Sequence, residues 1–261
     1  MMKVGEIARR EFVKVRQSDH MIPLLDSIQK QGYGKAFVYD RNIFTGIVSK
    51  ESFIDRLEVT HFERLSDLKV NDFYVQDLMF LKDDDDVYDG AIKLNETTCI
   101  VDAVPVFSGE EACGYVTSKE YLKLFLKQGE PGFKVKDLMQ YSPVTVFDYT
   151  TFDKLLTAIN DSTFKHAMVL KGKEIVGIVA VKDLMLTVLK YLKNPEKYQD
   201  LTAEELMSKP VATVEGAADV LDAAKIMDDK NYGGLPVVDG GELKGLFRRR
   251  DVLKTFEIKQ Q

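Results

Sequence analysis

Four related stretches decide the fold of this chain: GIVSKES at 46–52, GYVTSKE at 114–120, GIVAVKD at 177–183 and GLFRRRD at 245–251. Each begins with a glycine, continues as a short apolar strand and runs into the charged start of a helix. Successive glycines are 68, 63 and 68 residues apart. This regular spacing indicates one small unit that occurs four times.

A second marker keeps the same register. It reads VQDLM at 75–79, VKDLM at 135–139 and AEELM at 203–207, with a weaker copy, VGEIA, at 4–8. The last residue of each segment precedes the glycine of the same repeat by 35 or 38 residues. Two markers that recur at nearly the same distance from each other support tandem repeats over nearly the whole chain.

The order of elements within a unit is clearest in repeat 4. A short alternating strand at 211–214 precedes a helix at 217–227 with apolar residues on one face. Two strands, 235–238 and 243–247, flank an Asp239-Gly-Gly turn, and a last helix begins near Asp251. The order strand, helix, strand, strand, helix predicts an α+β fold.

Composition excludes several classes of protein. An apolar fraction of 45% with 30% charged residues is typical of a globular domain, and no apolar run reaches membrane length. The net charge of −6 argues against a broad nucleic-acid surface. The chain starts without a signal-peptide pattern and has two cysteines, Cys99 and Cys113, so we expect a reducing cytoplasm. The two thiols are expected to be buried and free, although they could be neighbours.

The run of four aspartates at 83–86 invites a metal hypothesis. It lacks the alternating oxygen ligands and the glycine of a calcium-binding loop. Capping of the following helix is the simpler explanation, so no metal site is predicted.

The chain resembles the CBS domain, the repeat first described in cystathionine beta-synthase. The resemblance is carried by the three Leu-Met pairs, by Leu235-Pro-Val-Val-Asp239 and by the four glycine-led segments. It implies four CBS repeats at 1–60, 69–128, 133–193 and 201–258. Family members pair two repeats about a pseudo-twofold axis as a Bateman module, which implies modules at 1–128 and 133–261. Two modules commonly join as a disk, as in the gamma subunit of AMP-activated protein kinase.

The resemblance also implies a nucleotide site at the helix starts. In ligand-binding members, a serine or threonine three residues after the glycine contacts phosphate, which here points to Ser49 and Thr117. An aspartate three residues further binds the ribose hydroxyls, which points to Asp183 and Asp251. No repeat carries both residues. In repeats 1 and 2, a capping role for these side chains is the favoured interpretation.

Positive charge accompanies the two aspartates. Lys182 adjoins Asp183, and Arg248, Arg249 and Arg250 precede Asp251. Arginines at the positive end of a helix are electrostatically unfavourable, and a bound anion would relieve this.

Two further sets of residues follow from the family. The residue 11 positions before the glycine can be basic, which selects Lys35 and His166 for phosphates gathered at a shared centre; a strand-end histidine without a ligand is an equal alternative for His166. The strand residues expected around an adenine, which are also ordinary core residues, are Thr145, Val146, Thr213, Val214 and Val237.

No catalytic motif is present, and after four repeats we expect no attached catalytic domain or cofactor. The leading hypothesis is a regulatory sensor that binds AMP, ADP or ATP, with S-adenosylmethionine less favoured, and signals to a protein partner. A ligand-independent interaction scaffold is the alternative. Nucleic-acid binding through the arginine patch is the least favoured because the chain is acidic. Whether the disk forms within one chain or in a homodimer stays open, and hinges are expected at 129–132 and 193–200.

Overall fold

The computed structural model describes residues 2–32, 34–97 and 100–260. Over these ranges the chain forms four three-stranded sheets. The strands of repeats 1 and 2 are β1 (Val13–Arg16), β2 (Lys35–Asp40), β3 (Ile43–Ser49), β4 (Leu81–Lys82), β5 (Val104–Ser108) and β6 (Glu111–Val116). Those of repeats 3 and 4 are β7 (Gln140–Tyr141), β8 (Thr145–Phe147), β9 (His166–Lys171), β10 (Glu174–Ala180), β11 (Gly234–Asp239) and β12 (Glu242–Arg248).

Helices connect and cover these sheets. They are α1 (Val4–Ile7), α2 (Met21–Gln31), α3 (Lys50–Asp55), α4 (Val87–Glu96), α5 (Ser118–Gln128), α6 (Val135–Leu138), α7 (Phe152–Asn160), α8 (Val181–Lys190), α9 (Ala203–Leu206), α10 (Val220–Asp229) and α11 (Leu253–Gln260). Short 3-10 helices span Val59–Asp67, Val70–Asp72, Pro195–Asp200 and Arg249–Val252. The predicted α+β class is confirmed.

The start of each repeat crosses over to the sheet of its partner repeat. The pairs are Arg9 with Tyr115, Val75 with Ile47, Ser208 with Ile178, and β7 with β12. The leading glycine makes room for the crossing chain: a Cβ on Gly114 would lie 2.6 Å from the carbonyl oxygen of Arg9. A Cβ on Gly245 would lie 2.6 Å from that of Gln140. Only glycine permits this approach, and the exchange links repeat 1 to 2 and repeat 3 to 4.

Two hydrophobic cores run from one module into the other. Repeats 1 and 3 share the first core, in which Phe62 packs against Phe152 and Tyr198. Repeats 2 and 4 share the second, in which Phe256 contacts Tyr121. The four repeats therefore close around a common centre within one chain, without a second copy.

Repeat 4 departs from its predicted first strand at 211–214. In the described structure, Val214 makes an isolated parallel bridge to Val237 in β11, and β7 pairs with β12 at the opposite edge of that sheet. Pro210 lacks a backbone N–H, which disfavours a longer strand before Val214.

The predicted Asp239-Gly-Gly hairpin is confirmed, with Gly240 and Gly241 at φ of 60° and 81°. Within the expected hinge at 193–200, Tyr198 is 1% exposed and donates a hydrogen bond to the Val188 carbonyl at 2.6 Å. Residue Cys99, and with it the suggested thiol neighbourhood, lies outside the described residues. None of the described helices is both long and apolar enough to cross a membrane.

Candidate functional site

The helix starts of all four repeats face one central cavity of about 210 Å³. Lys50, Ser118, Lys182 and Arg249 line this cavity, and each belongs to a different repeat. In every copy the glycine-led strand runs inward, and the helix begins where that strand ends. Because helix starts offer backbone N–H groups and a positive dipole end, this arrangement favours an anion.

Basic side chains outnumber acidic ones on the wall of the central cavity. The cations are Lys50, Lys165, Lys182, Arg248, Arg249 and Arg250, and the carboxylates are Glu51 and Asp102. Four of these cations have carboxylate partners. Lys165 pairs with Asp55 at 2.6 Å and Arg248 with Asp251 at 3.0 Å, whereas Arg250 lies 3.5 Å from Asp102 and Lys50 lies 3.7 Å from Glu51. Arg250 also donates to the carbonyl oxygens at the end of α4 and is 8% exposed. The structure thus gives Arg250 a capping role at the end of α4 as well as a place on the cavity wall.

Arg249 retains hydrogen-bonding capacity in the cavity wall. Its Nη2 donates to the Tyr232 carbonyl at 2.7 Å, whereas its buried Nε has no hydrogen-bond partner in the described structure. Burial lowers the pKa of Arg249, although carboxylates including Asp102 and Glu120 oppose this. A buried donor without an acceptor is costly, so the site favours an acceptor beside Arg249.

His166 stands between the central cavity and the cleft of repeats 3 and 4. Its Nδ1 lies 2.8 Å from the Phe164 carbonyl, and its Nε2 faces Gly233, where a Cβ would be 2.8 Å away. Burial lowers the pKa of His166 to about 4, helped by the charges of Arg248 and Arg249. The ring is therefore neutral at pH 7, and its Nδ1 donates to the carbonyl.

A second cavity of about 90 Å³ lies in the cleft between repeats 3 and 4. Asp183 and Ser208 supply polar groups, and Val211, Ala212 and Pro236 form an apolar wall. This cleft adjoins the central cavity because the same five residues line both: His166, Ala180, Lys182, Asn231 and Gly233. The continuous space suits an elongated ligand with an apolar end, a hydroxylated middle and an anionic end.

Asp183 is positioned by its own helix start. The backbone N–H of Ala180 donates to its carboxylate at 2.9 Å. Burial raises the pKa of Asp183, while this hydrogen bond and the charge of Lys182 lower it. Asp183 thus presents a partly desolvated carboxylate on the cleft wall, as the sequence predicts.

Asp251 lines neither of these two cavities, although the sequence predicts a ribose contact for it. Its side chain is 1% exposed and accepts from Arg248 Nη2 at 3.0 Å and from Gln140 Nε2 at 3.0 Å. Lys254 lies 3.5 Å away. The bulk and charge of Arg248, which stands where the family has a hydroxyl side chain, take up this carboxylate.

Lys35 is likewise removed from the predicted phosphate role. It is 4% exposed, pairs with Glu51 at 2.9 Å and donates to the Val101 carbonyl. Burial would raise the pKa of Glu51, but Lys35 and Lys50 overcome this and lower it to about 2. The carboxylate of Glu51 therefore neutralises the charge of Lys35 within the protein.

Ser49 and Thr117 act as helix caps. Ser49 Oγ accepts from the Ser52 N–H at 3.1 Å, and Thr117 Oγ1 accepts from the Lys119 N–H at 3.0 Å. The capping interpretation of repeats 1 and 2 therefore agrees with the geometry. Asp86 similarly caps α4 by accepting from the Tyr88 N–H at 2.9 Å. Among the described residues, no cluster of three or more potential metal ligands occurs.

The predicted adenine wall is shifted along the chain. Val146 and Val237 are buried in the two cores, and Thr145 is exposed. Neither Thr213 nor Val214 belongs to the cleft wall, which Val211 and Ala212 form instead. Val214 pairs with Val237 in the register that Val146 and Val169 have in repeat 3, so the cleft wall is formed by residues that precede this pairing.

Sequence reasoning missed several residues of the cavity walls. Lys50 and Ser118 lie one position beyond the predicted phosphate residue, and that position, one residue into the helix, was the available signal. Asp102, Asn231 and Gly233 come from loops before the second strand of their repeats. Only their tertiary placement reveals them.

Comparison with known proteins agrees with this architecture. The family model of the CBS domain matches residues 135–190 and 203–257, which are repeats 3 and 4. A CBS domain-containing protein of Dictyostelium discoideum is 33% identical over 127 residues, covering 46% of this chain and 88% of that protein. The chain belongs to the CBS domain family, and its four repeats form two modules of the Bateman type.

Two other relatives bear on the extent of the similarity. The protein MK0525 of Methanopyrus kandleri is 39% identical over 82 residues, which are 31% of this chain and only 40% of that protein. The crystal structure of MJ1225 from Methanocaldococcus jannaschii, described as a candidate archaeal homologue of g-AMPK, has a TM-score of 0.86. It is 18% identical, and the alignment covers 98% of this chain and all of that one. The whole four-repeat fold is thus shared.

Proposed function

We propose that this chain is a non-catalytic regulatory protein that binds an adenine nucleotide in the cleft of repeats 3 and 4. The nucleoside occupies the cleft, and its phosphate enters the central cavity. One observation carries this proposal: the cleft and the basic cavity share a wall formed by His166, Lys182 and Gly233.

The chemistry of the two cavities supports a nucleoside phosphate. The Asp183 carboxylate suits a pair of ribose hydroxyls, and the buried Nε of Arg249 suits a phosphate oxygen. Val211, Ala212 and Pro236 offer an apolar surface to a base. The preference for adenine comes from the resemblance to ligand-binding CBS proteins, and among such ligands AMP, ADP and ATP take precedence over S-adenosylmethionine because the cavity is cationic.

The site also suggests how binding is transmitted. Helix starts from both modules face the central cavity, so a phosphate there contacts repeats on each side of the molecule. A ligand shifts the equilibrium between two module arrangements only if its affinity for them differs. A partner protein that recognises one arrangement would then respond to the nucleotide.

The arginine run does not favour the nucleic-acid alternative. Arg250 is buried at the end of α4, and Arg248 is paired with Asp251. Recognition of a long polyanion requires an exposed basic surface. These arginines lie instead around an interior cavity.

Asp183→Ala tests the proposed site. Loss of a charged hydrogen bond to ribose is expected to weaken nucleotide binding by about 1.5–3 kcal/mol, roughly a 10- to 150-fold increase in Kd. Isothermal titration calorimetry with AMP, ADP, ATP and S-adenosylmethionine measures this change.

Asp222→Ala is the matched control, because Asp222 is an exposed aspartate on α10 outside both cavities. It should bind like the wild type. Equal affinity of Asp183→Ala and wild-type protein would refute the ribose contact, and absence of binding by the wild type for all four ligands would refute the nucleotide function.

A further inference from the structure

Repeats 3 and 4 are related by pseudo-twofold symmetry, so their module has two clefts that correspond residue by residue. Counted from the leading glycine of each repeat, the positions of Ala180, Asp183, Ser208, Asn231 and Tyr232 correspond to those of Arg248, Asp251, Gln140, Thr163 and Phe164. All five residues of the first set line the open cleft. The second set surrounds the equivalent cleft, called the twin cleft below.

Arg248 spans the twin cleft from wall to wall. Its Nε and Nη2 contact the Asp251 carboxylate at 3.2 and 3.0 Å, and its Nη1 donates to the Thr163 carbonyl at 3.0 Å. Its guanidinium carbon lies 5.7 Å from the centre of the Phe164 ring. Gln140 donates to the same carboxylate from the remaining side. The aspartate and the loop of the twin cleft are thus both contacted by the chain itself.

The corresponding contacts are absent at the open cleft because Ala180 has no side chain that reaches so far. Asp183 there receives the Ala180 backbone N–H and a hydrogen bond from Ser208, a smaller residue than Gln140. The two clefts share their backbone plan and their aspartate. The residue three positions after the glycine is the main difference between them.

We propose that Arg248 is an intramolecular plug that restricts this module to a single nucleoside ligand, and that alanine at position 180 keeps the other cleft open. This inference rests on the proposed nucleotide function. It adds the determinant of which cleft is used and of how many ligands the module holds.

Exchange of the two residues tests the inference. The wild type is expected to bind one AMP per chain. Ala180→Arg should place a guanidinium on Asp183 and raise the Kd for AMP more than 100-fold, whereas the control Asp222→Arg, which adds the same group on the exposed face of α10 outside both cavities, should bind as the wild type does. Arg248→Ser should open the twin cleft and raise the stoichiometry to two.

The double variant Ala180→Arg/Arg248→Ala should restore one AMP per chain but at the twin cleft. Its binding should then be abolished by Asp251→Ala and unaffected by Asp183→Ala, the reverse of the wild-type pattern. Equilibrium dialysis gives the stoichiometry, and circular dichroism establishes folding of each variant.

The outcomes separate the two proposals. If wild-type protein binds no nucleotide, the proposed function fails. If it binds one AMP and folded Arg248→Ser still binds one, the plug is refuted while the function stands. Should Arg248→Ser not fold, a folded Ala180→Arg that binds AMP with wild-type affinity refutes the plug equally.

Discussion

Single side chains decide which of four similar helix starts present a polar group to a cavity. Asp183 and Asp251 are equivalent in sequence, but one faces a cleft and the other is 1% exposed beside Arg248. Lys35 and His166 are also equivalent, and Glu51 neutralises the first whereas the second lies between two cavities. The chemical identity of one neighbour therefore outweighs the position in the repeat.

The perturbed pKa of His166 predicts a dependence of stability on pH. Its pKa is about 4 in the folded protein and near 6.5 when unfolded. Between these values the unfolded chain binds more protons, so stability is complete above pH 6.5 and falls as the pH is lowered towards 4. The full loss corresponds to about 3 kcal/mol.

Urea unfolding of wild type and His166→Gln between pH 7 and 4.5 measures this contribution. The variant should lose less stability over the interval. His20→Gln, at an exposed histidine, is the control and should follow the wild type. Parallel pH profiles for wild type and His166→Gln would contradict the assignment of this titration to His166.

Among the elements, each glycine-led strand begins with glycine because a segment of the partner repeat packs against it. Three of the four glycines meet a backbone carbonyl of the crossing segment, those of Val75, Arg9 and Gln140, and Gly177 meets the side chain of Met207. The repeated glycine is thus a packing requirement between partner repeats, and the ligand site lies further along at the helix start.

Gly114→Ala is expected to destabilise the protein by about 1–3 kcal/mol. The added Cβ would lie 2.6 Å from the Arg9 carbonyl, which must move and weaken its bridge to Tyr115. Chemical denaturation measures the change in the free energy of unfolding.

Gly34→Ala serves as the control because the nearest atom to its Cβ, the Tyr115 hydroxyl oxygen, would be 3.8 Å away. Its effect should stay within about 0.5 kcal/mol. A Gly114→Ala protein as stable as Gly34→Ala would show that the crossing segment does not depend on the glycine.

At the scale of the whole molecule, the two largest hydrophobic cores of the described residues each span both modules, and a smaller cluster around Phe37 and Tyr115 lies within the first module. One hydrophobic core joins repeats 1 and 3, and the other joins repeats 2 and 4. The central cavity lies where all four repeats meet. Stability and the shape of the central cavity therefore depend on all four repeats.

We accordingly predict one cooperative unfolding transition in differential scanning calorimetry, with equal calorimetric and van't Hoff enthalpies. Tyr198→Ala, which removes a ring from the core shared by repeats 1 and 3, should lower the midpoint of that single transition. Two separate transitions in the wild type would contradict the shared cores.

The sequence by itself determined the repeat, the order of elements, the α+β class, the Asp239 hairpin and the region of the site. These features follow from the conformational preferences of neighbouring residues and from the spacing of motifs, both of which can be read directly from the order of residues. It also placed Asp183, Lys182, His166 and Arg249 correctly on the walls.

Only the tertiary structure decided which of the equivalent residues are available. Whether a charge faces a cavity depends on partners distant in sequence: Gln140 reaches Asp251 across 111 residues, and Arg250 reaches the end of α4 across more than 150. Burial and long-range pairing set the energy of a charged group, and neither is encoded in local spacing.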